Sequence, residues 1–418
     1  MHWEVTLMTD NKKVPRLRFK EFTDAWEQRK LNDEYQKIGN AFVGTASPYY
    51  VENGHFYLES NNIKNGQINH DHEIFINDSF FKKQADKYLH TGDLVMVQSG
   101  HVGDTAVITK KYNNTAAHAL IMFRNPKHDA TSTFLNYYFQ SDNAKSKISV
   151  LSIGNTISHI LASDMSRFTV SFPKNVEQEK ITKLFSSLQN LITLHQRKLN
   201  LLNQLKKGML QKLFAGKNQK QPNLRFKGLA DTWKKETLKE VSQWSKGQGL
   251  PKKDLNTYEK GKEVIHYADL YKLGPVIKGV IHWSTSKEGR KIPTNSIIFP
   301  MSDVTPTGLA RTSAVVKDGI LAGGDVLIDN LSSKIQSKFL SYEINANSHQ
   351  ILSLVTGTTV KHINSKSLNR LSITYPNMQE QEMISNTLEN IFTQIEFYRY
   401  RISKLQQLKK SLLQNMFI

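Results

Sequence analysis

Cysteine is absent from all 418 residues. That absence excludes disulfides, thiolate metal sites and cysteine nucleophiles, and it is compatible with the cytoplasm, where the chain is expected to act. Also absent is any apolar run of roughly 18 residues, the length a bilayer-spanning helix requires. The opening residues Met1-His2-Trp3-Glu4-Val5 lack the basic region and hydrophobic core of an export signal. The sequence is therefore expected to be neither exported nor inserted in a membrane. Acidic residues are scarce, 37 Asp and Glu against 56 Lys and Arg, leaving a formal charge of +19. An excess of that size makes a polyanion the natural partner, with nucleic acid ahead of a membrane surface. With 39% hydrophobic and 22% charged residues the chain falls in the globular range, and its length suits two domains better than one core.

What is present in abundance is repetition. Pro15, Leu17, Arg18, Phe19, Lys20, Asp24, Trp26 and Leu31 return as Pro222, Leu224, Arg225, Phe226, Lys227, Asp231, Trp233 and Leu238. A later block does the same: Gly154, Thr156, His159 and Ile160 are answered by Gly357, Thr359, His362 and Ile363. Pro173, Glu177, Gln178, Glu179 and Ile181 then return as Pro376, Glu380, Gln381, Glu382 and Ile384. The set closes with Leu205, Lys206, Lys207, Leu210, Gln211 and Phe214 against Leu408, Lys409, Lys410, Leu413, Gln414 and Phe417. Between these borders the halves diverge, apart from echoes such as Phe134, Leu135 and Tyr137 against Phe339, Leu340 and Tyr342. A duplicated scaffold with unlike fillings suggests two related modules that bind two different things.

The last repeated segment carries the clearest periodicity. Ile181, Phe185, Leu188, Ile192, His195, Leu199, Leu202, Lys206, Met209 and Leu213 step by four and three, the spacing of a heptad seam. Ile384, Leu388, Ile391, Ile395, Tyr398, Ile402, Leu405, Lys409, Leu412 and Met416 repeat it. Both segments are predicted to be long helices, roughly 57 Å each at 1.5 Å per residue. Pro173 and Pro376 precede them, Glu177, Glu179, Glu380 and Glu382 fill the first turn, and Lys206-Lys207 and Lys409-Lys410 lie near the end, as the helix dipole favours. Seams this apolar are expected to pair as a coiled coil, with the polar positions His195, Lys206 and Lys409 acting as register devices or frayed ends. An antiparallel pairing relates the halves by a pseudo-twofold axis, the symmetry of a duplex whose strands run oppositely.

The divergent regions read as strand-rich α+β. Gly92 to Val97 suggests a buried strand leaving through the glycine loop Gln98-Ser99-Gly100-His101-Val102-Gly103 to a second strand at Thr105 to Ile108. Ser296 to Pro300 and Gly323 to Ile328 are expected to play similar parts in the second half, and short helices are expected around Ser132 to Phe139 and its repeat. The expected domains are residues 15–173, a helix over 174–216, a linker at 217–221, a second module over 222–376 and a second helix over 377–418. The fold class is thus α+β, two similar globular domains joined by two long antiparallel coiled-coil helices.

The repeated Leu-Arg-Phe-Lys start with Asp24 and Trp26, the Gly-Asn-Thr-Ile-Ser-His-Ile block before Pro173, the Glu-Gln-Glu entry and the heptad helix together resemble the specificity subunit of type I restriction-modification systems over nearly the whole chain. The resemblance implies two target-recognition domains, each reading half of a split DNA site, with the helices as a ruler between them. It also implies assembly on double-stranded DNA with two adenine methyltransferase (modification) subunits and two ATP-driven endonuclease and translocase (restriction) subunits. S-adenosylmethionine, ATP and Mg would then serve the complex, and this chain itself would hold no cofactor.

No chemistry is expected in the chain itself. A Gly-x-x-x-x-Gly-Lys-Ser/Thr phosphate loop is missing, and Asn125-Pro126 runs into Lys127-His128 rather than the aromatic residue an adenine methyltransferase needs. His70-Asp71-His72-Glu73 reads as a solvated loop more readily than as a metal site, because no spacing elsewhere completes a ligand set. Asp10-Asn11-Lys12 is half of a nuclease pattern in a tail, and Gly100-His101-Val102-Gly103 resembles an RNA-clamp loop but lacks the flanking helices. His159 and His362 are expected to pack at the module-to-helix junction, and Trp26 and Trp233 to anchor cores. The expected DNA contacts are Asn61, Asn62, Gln98, Ser99 and His101 in the first module and Lys252, Lys253, Ser302, Thr305 and Arg311 in the second, as loop donors and acceptors at similar places in the two halves. A stand-alone duplicated DNA-binding regulator would share the charge and symmetry; a coiled-coil scaffold protein would lack the steep salt dependence of DNA binding.

Overall fold

The computed structural model describes residues 5–7, 14–152, 158–216 and 219–418. Asp10, Asn11 and Lys12, the Gly154 to Ile157 part of the repeated block, and Lys217 and Asn218 of the expected linker lie outside the described residues. Two compact units divide the chain: Met1–Gln196 together with Tyr400–Ile418, and Arg197–Arg399.

In the first unit a four-stranded sheet is built from β1 (Tyr35–Asn40), β2 (Leu94–Val97), β3 (Thr105–Val107) and β4 (Leu120–Pro126), in the order β3-β2-β4-β1 and antiparallel throughout. The Leu-Val-Met-Val run of β2 is buried on both faces, which is why it reads as a continuous apolar stretch rather than an alternating one. Val95 pairs with Ala106 on one side and Met122 on the other. A second sheet carries His55–Leu58, Ile74–Ile76, Ala116–Ala117 and Tyr50–Val51. Helices α1 (Asp129–Tyr138) and α2 (Asp142–Leu151) follow. Thr169–Phe172 then pairs with Glu27–Lys30, tying the end of the module to its beginning. Val5–Leu7 pairs antiparallel with Leu17–Phe19, so part of the segment before Pro15 is strand rather than a free extension.

The second unit repeats the strand order of the main sheet and adds one strand to it. Its main sheet uses β5 (Ser242–Lys246), β6 (Val276–Ile277), β7 (Ser296–Pro300), β8 (Ser313–Val315) and β9 (Val326–Leu331) in the order β5-β9-β7-β8-β6. The first four match the first unit strand for strand, and β6 adds a parallel edge. The Gly323 to Ile328 segment is therefore not the counterpart of Thr105 to Ile108; β8 is, and Gly323-Gly324-Asp325 is a turn between Leu321–Ala322 of the second sheet and β9. Two glycine N–H groups fix that turn, donating to the carbonyls of Ile265 (3.0 Å) and Gly249 (3.0 Å). Between β7 and β8 lies a one-turn helix, α4 (Pro306–Leu309), and after β9 come α5 (Ser337–Ala346) and α6 (His349–Leu352).

Two 38-residue helices, α3 (Asn175–Lys212) and α7 (Met378–Asn415), complete both units. In the first unit the start of α3 lies beside the end of α7: the rings of Phe185 and Phe417 are 5.6 Å apart, and Lys409 Nζ donates to Gln189 Oε1 at 2.9 Å. In the second the end of α3 lies beside the start of α7, with Lys206 Nζ 5.2 Å from the Phe392 ring centroid. The helices are therefore antiparallel. Ile181, Phe185, Leu188, Ile192, Leu199, Leu202, Ile384, Leu388, Ile391, Ile395 and Ile402 are buried and Leu405 is half-buried. The seam lysines are not frayed. Lys409 donates to Gln140 (2.8 Å) as well as Gln189 and lies over the Tyr137 ring, and burial pushes its ammonium down to about 8.

Each core is closed by residues distant in sequence. Phe417 packs on Phe134 (5.4 Å) and Tyr138 (6.1 Å), and Leu413 and Met416 join the same core. Phe214 packs on Phe339 (5.5 Å) in the second unit. Trp26 and Trp233 are core residues, edge-on to Phe134 and Phe339 at 5.9 and 5.8 Å.

Beneath each helix entry lies a buried ion pair. Arg18 Nε and a terminal guanidinium nitrogen each donate to Glu177 at 2.7 Å, and neither side chain is more than 2% exposed. Arg225 holds Glu380 the same way at 2.9 and 2.7 Å, and Trp233 Nε1 donates to that carboxylate at 3.2 Å. Beside each pair a glutamine bends back on the preceding proline, Gln178 to the Pro173 carbonyl (3.1 Å) and Gln381 to that of Pro376 (2.9 Å).

Glu177→Gln leaves the Arg18 guanidinium buried without its counter-charge and is expected to cost the first unit about 3–5 kcal/mol, read as a lowered denaturant midpoint; a loss under about 1 kcal/mol would show the pair to be dispensable. Glu343 on α5 is a buried carboxyl whose hydrogen-bond donor is the Asn347 amide at 3.1 Å. Burial pushes it up to about 8, above its value in the unfolded chain, so stability falls as pH rises from the usual carboxylate range through 8. Glu343→Gln is expected to change nothing below about pH 4 and to stabilise by ~2 kcal/mol above about pH 8. Equal melts of parent and variant at about pH 9 would contradict this.

Candidate nucleic-acid interface

In each module the loop that leaves the central strand is stitched to the segment carrying the repeated histidine. In the first, Ile160 N–H donates to the Gln98 carbonyl (3.1 Å), Gly100 N–H donates to that of Ser158 (3.2 Å), and Ser99 bridges His159. In the second, Ile363 N–H donates to the Met301 carbonyl (3.0 Å), and Ser302–Asp303 pairs with Lys361–His362, placing Ser302 opposite His362. Both imidazoles are exposed. The expected packing at the junction is thus made by the backbone, and the rings project outward beside the loops.

The Gln98 to Asp104 loop is short because two glycines turn it. Gly103 has φ +91°, and a Cβ there would lie 3.1 Å from the Ile148 side chain of α2; position 103 therefore favours glycine on both conformation and space. His101 is exposed, and its Nε2 hydrogen-bonds to the Ser60 carbonyl at 3.1 Å, bringing the Ser60–Asn62 turn alongside. Asn61 is exposed. Asn62 is 1% exposed: its Oδ1 accepts from Glu59 N–H (3.0 Å) and its amide donates to the carbonyls of His72 (2.9 Å) and Asn69 (3.4 Å). A fully engaged, buried amide cannot reach a base, so Asn62 shapes the loop that Asn61 decorates. Gln98 and Ser99 are half-buried at the loop's root.

Between this loop and α2 lies an open cleft of about 350 Å³ bordered by Gly100, His101, Asp104, Lys145, Ser149 and Ser152. Burial raises the Asp104 carboxyl above its ordinary value, against the pull of His101, Lys145 and Lys64.

The corresponding loop of the second module is longer and filled. Thr305 caps α4, accepting from Gly308 N–H at 3.1 Å, and its own N–H donates to Asp303 at 2.8 Å. The Tyr271 hydroxyl donates to the same carboxylate. Arg311 lies over the Tyr271 ring, 4.8 Å from its centroid, and donates to the Leu270 carbonyl at 3.4 Å. Ser302, Thr305 and Arg311 therefore gather with Tyr271 and Asp303, which sequence reading passed over because an isolated Tyr and Asp carry no periodic signal. Lys252 and Lys253 do not join them. They occupy the exposed turn Lys252–Asp254, tied to the other sheet where Ser284 Oγ donates to the Asp254 carbonyl (2.7 Å). Nor do they match Asn61 and Asn62 in position: the counterpart of Asn62 is Asp269, likewise buried and accepting from the N–H three residues earlier, that of His266 (2.9 Å). The similar placement expected for the two sets holds for Ser99 and Ser302 but not for these pairs.

The His70 cluster is a surface network. His70 hydrogen-bonds Glu73 through one ring nitrogen and Tyr112 (2.7 Å) through the other, while Asp71 and His72 are exposed. Among the described residues no group of three or more metal-ligating side chains forms, and no helix is long and apolar enough to cross a membrane.

Comparison with known proteins gives a consistent answer. Residues 23–204 and 230–407 match the model of the type I restriction modification DNA specificity domain. A protein of Methanocaldococcus jannaschii named as the MjaX type I restriction enzyme specificity subunit is 23% identical over 421 residues, covering 94% of this chain and 93% of that one. The MjaVIII specificity subunit of the same organism is 24% identical over 281 residues, 62% of this chain and 64% of its own. Among solved structures, the S subunit of a type I restriction-modification system from M. genitalium superposes with a TM-score of 0.66 over 97% of this chain and 99% of that one, at 14% identity, a likeness of fold.

The two neighbouring asparagines separate support from contact. Asn62→Ala strands buried carbonyl and N–H partners and is expected to lower stability by about 1–3 kcal/mol, whereas Asn61→Ala is expected to stay within about 0.5 kcal/mol. Thermal melts of the two variants check this; equal losses would remove the distinction.

Proposed function

Because the chain belongs to the type I restriction-modification DNA specificity family, we propose that its two modules each read one half of a split, asymmetric DNA target and that α3 and α7 set the gap between the halves. The observation that carries this reading is the duplicated frame with unlike loops. The same strand order and the same stitching by His159 and His362 support a tight glycine loop in one module and a helix-bearing loop in the other. Identical supports with different tips suit two readers of different words. The charge of +19 supplies the phosphate attraction on which register depends.

The contacts proposed are Asn61, Gln98, Ser99 and His101 for one half-site and Ser302, Thr305 and Arg311 for the other, with Lys252 and Lys253 on phosphates. His159 and His362 are the same residue in both modules and so suit features common to both half-sites, the phosphate backbone above all. Catalysis belongs to partners: two adenine methyltransferase subunits using S-adenosylmethionine, and two restriction subunits using ATP and Mg, with this chain choosing where they act.

Co-expression with candidate methyltransferase subunits, followed by genome-wide mapping of modified adenines, is expected to yield one bipartite motif with unlike halves. Removal of one heptad from both α3 and α7 is expected to keep both halves and shorten the gap by roughly three base pairs, from 1.5 Å per helical residue and 3.4 Å per base pair. An unchanged gap would sink the ruler. Tight binding of a target without any methyltransferase dependence would instead favour a stand-alone regulator.

A further inference from the structure

The two modules differ most at one equivalent point, the step from the loop into the second strand of the main sheet. In the second module that step is Thr312, 2% exposed, its hydroxyl donating to the Ile298 carbonyl at 2.9 Å and its N–H donating to Asn345. The longer loop carries α4, which packs against α6 and the Lys361–His362 strand. In the first module the same step is Asp104, and in place of α4 stands the open cleft between the glycine loop and α2. Asp104 is partly buried, and its carboxylate makes no hydrogen bond or ion pair among the described residues. Lys145, His101 and Lys64 surround it at electrostatic range rather than in contact.

Burial disfavours the charged form of this carboxylate, while its oxygens line an open cleft and are not among the sealed side-chain atoms, so they stay free to accept from an incoming donor. In a chain of charge +19 many lysines could have neutralised it, and none does. Its position also restricts what it can meet. A phosphate is excluded by like charge, so whatever part of a DNA duplex approaches Asp104 must be a hydrogen-bond donor. On the base edges of the major groove the donors are the exocyclic amino groups, cytosine N4 and adenine N6. Lys145 and Lys64, beside the carboxylate, are placed for the phosphates on either side.

We propose that Asp104 is the specificity-determining acceptor of the first module, reading the amino group of a cytosine or adenine that enters the cleft beneath the Gly100–Asp104 loop. The assignment rests on the DNA-reading function proposed above and adds which atom reads, which chemical group is read, and in which half-site. It also states an asymmetry: at the equivalent step the second module carries Thr312, and the carboxylate of its loop, Asp303, already accepts from Thr305 N–H and the Tyr271 hydroxyl.

The test is selection from a random duplex library by the full chain assembled with its co-expressed methyltransferase subunits, comparing the parent with Asp104→Asn and Asp104→Ala, with thermal melts of all three. Both variants are expected to fold, since no internal partner is lost. Asp104→Ala is expected to lose discrimination at one base pair of one half-site by roughly 5- to 150-fold, the range for a good base contact, with the other half-site and the gap unchanged. Asp104→Asn presents a donor beside its acceptor and is expected to admit thymine or guanine there as well. Unchanged motifs in both variants, or equal weakening at both half-sites, would overturn the assignment while leaving the DNA-reading function intact. A parent complex that enriches no sequence would overturn that function and the assignment with it.

Discussion

The bidentate ion pairs Arg18–Glu177 and Arg225–Glu380 are the constraint on which the rest is hung. Each joins the entry of a module, Arg18 in the strand Leu17–Phe19 and Arg225 in the stretch ahead of Lys234–Thr237, to the first turn of a helix that begins about 150 residues later. The carboxylate sits where the helix dipole favours negative charge, and the guanidinium supplies two parallel donors that fix direction as well as distance. Replacing both partners with apolar residues of equal volume could be neutral for stability. What the pair gives is geometry: a planar fork on a carboxylate admits one orientation, so the helix leaves each module at one angle. The adjoining Gln178 and Gln381, bent onto Pro173 and Pro376, fix the same turn from the other side.

The parts of the molecule legible in the sequence are those with a period or a copy. The heptads at Ile181 to Leu213 and Ile384 to Met416 announce helices because the step of four and three is a direct image of helix geometry, and the tryptophans and strand β2 announce a core because long apolar runs have no other use. The Arg–Glu pairs were half visible: all four residues recur in register, but that the charges meet depends on a contact about 150 residues long. Least legible were the loops. Asn61 and Asn62 are neighbours of the same type, yet one is exposed and the other sealed under three hydrogen bonds, a distinction made by chain direction rather than by residue type. His159 and His362 likewise looked like junction residues, and they are, but by their backbone; no composition rule says which way the ring points. The correspondence of Gly323 to Ile328 failed because the second module's main sheet has an extra edge strand and a longer loop, shifting the count of elements without altering the strand order of the shared four.

That shared order with altered loops separates two demands on the same chain. Strands β2, β7 and β9 and the Leu120–Phe123 part of β4 are nearly sealed from solvent and tolerate change poorly, since packed interiors register even one methylene. The tips tolerate change well, because loops bear few packing contacts. A glycine loop of seven residues in one module and a loop with its own helical turn in the other can therefore sit on the same sheet without disturbing it.

Phe417 has a consequence that plays out in time. It fills the first module's core against Phe134, Tyr138 and Phe185, yet a ribosome adds it about 240 residues after that module's own last strand, a delay of roughly 10–50 s at ordinary synthesis speeds. During that interval the first module waits with an aromatic socket open, while the second, whose Phe214 is already made, needs only its own residues to close. The half that is translated first is thus the half that matures last, and a nascent chain stalled before Phe417 would present to chaperones and proteases an apolar socket that the finished protein never shows.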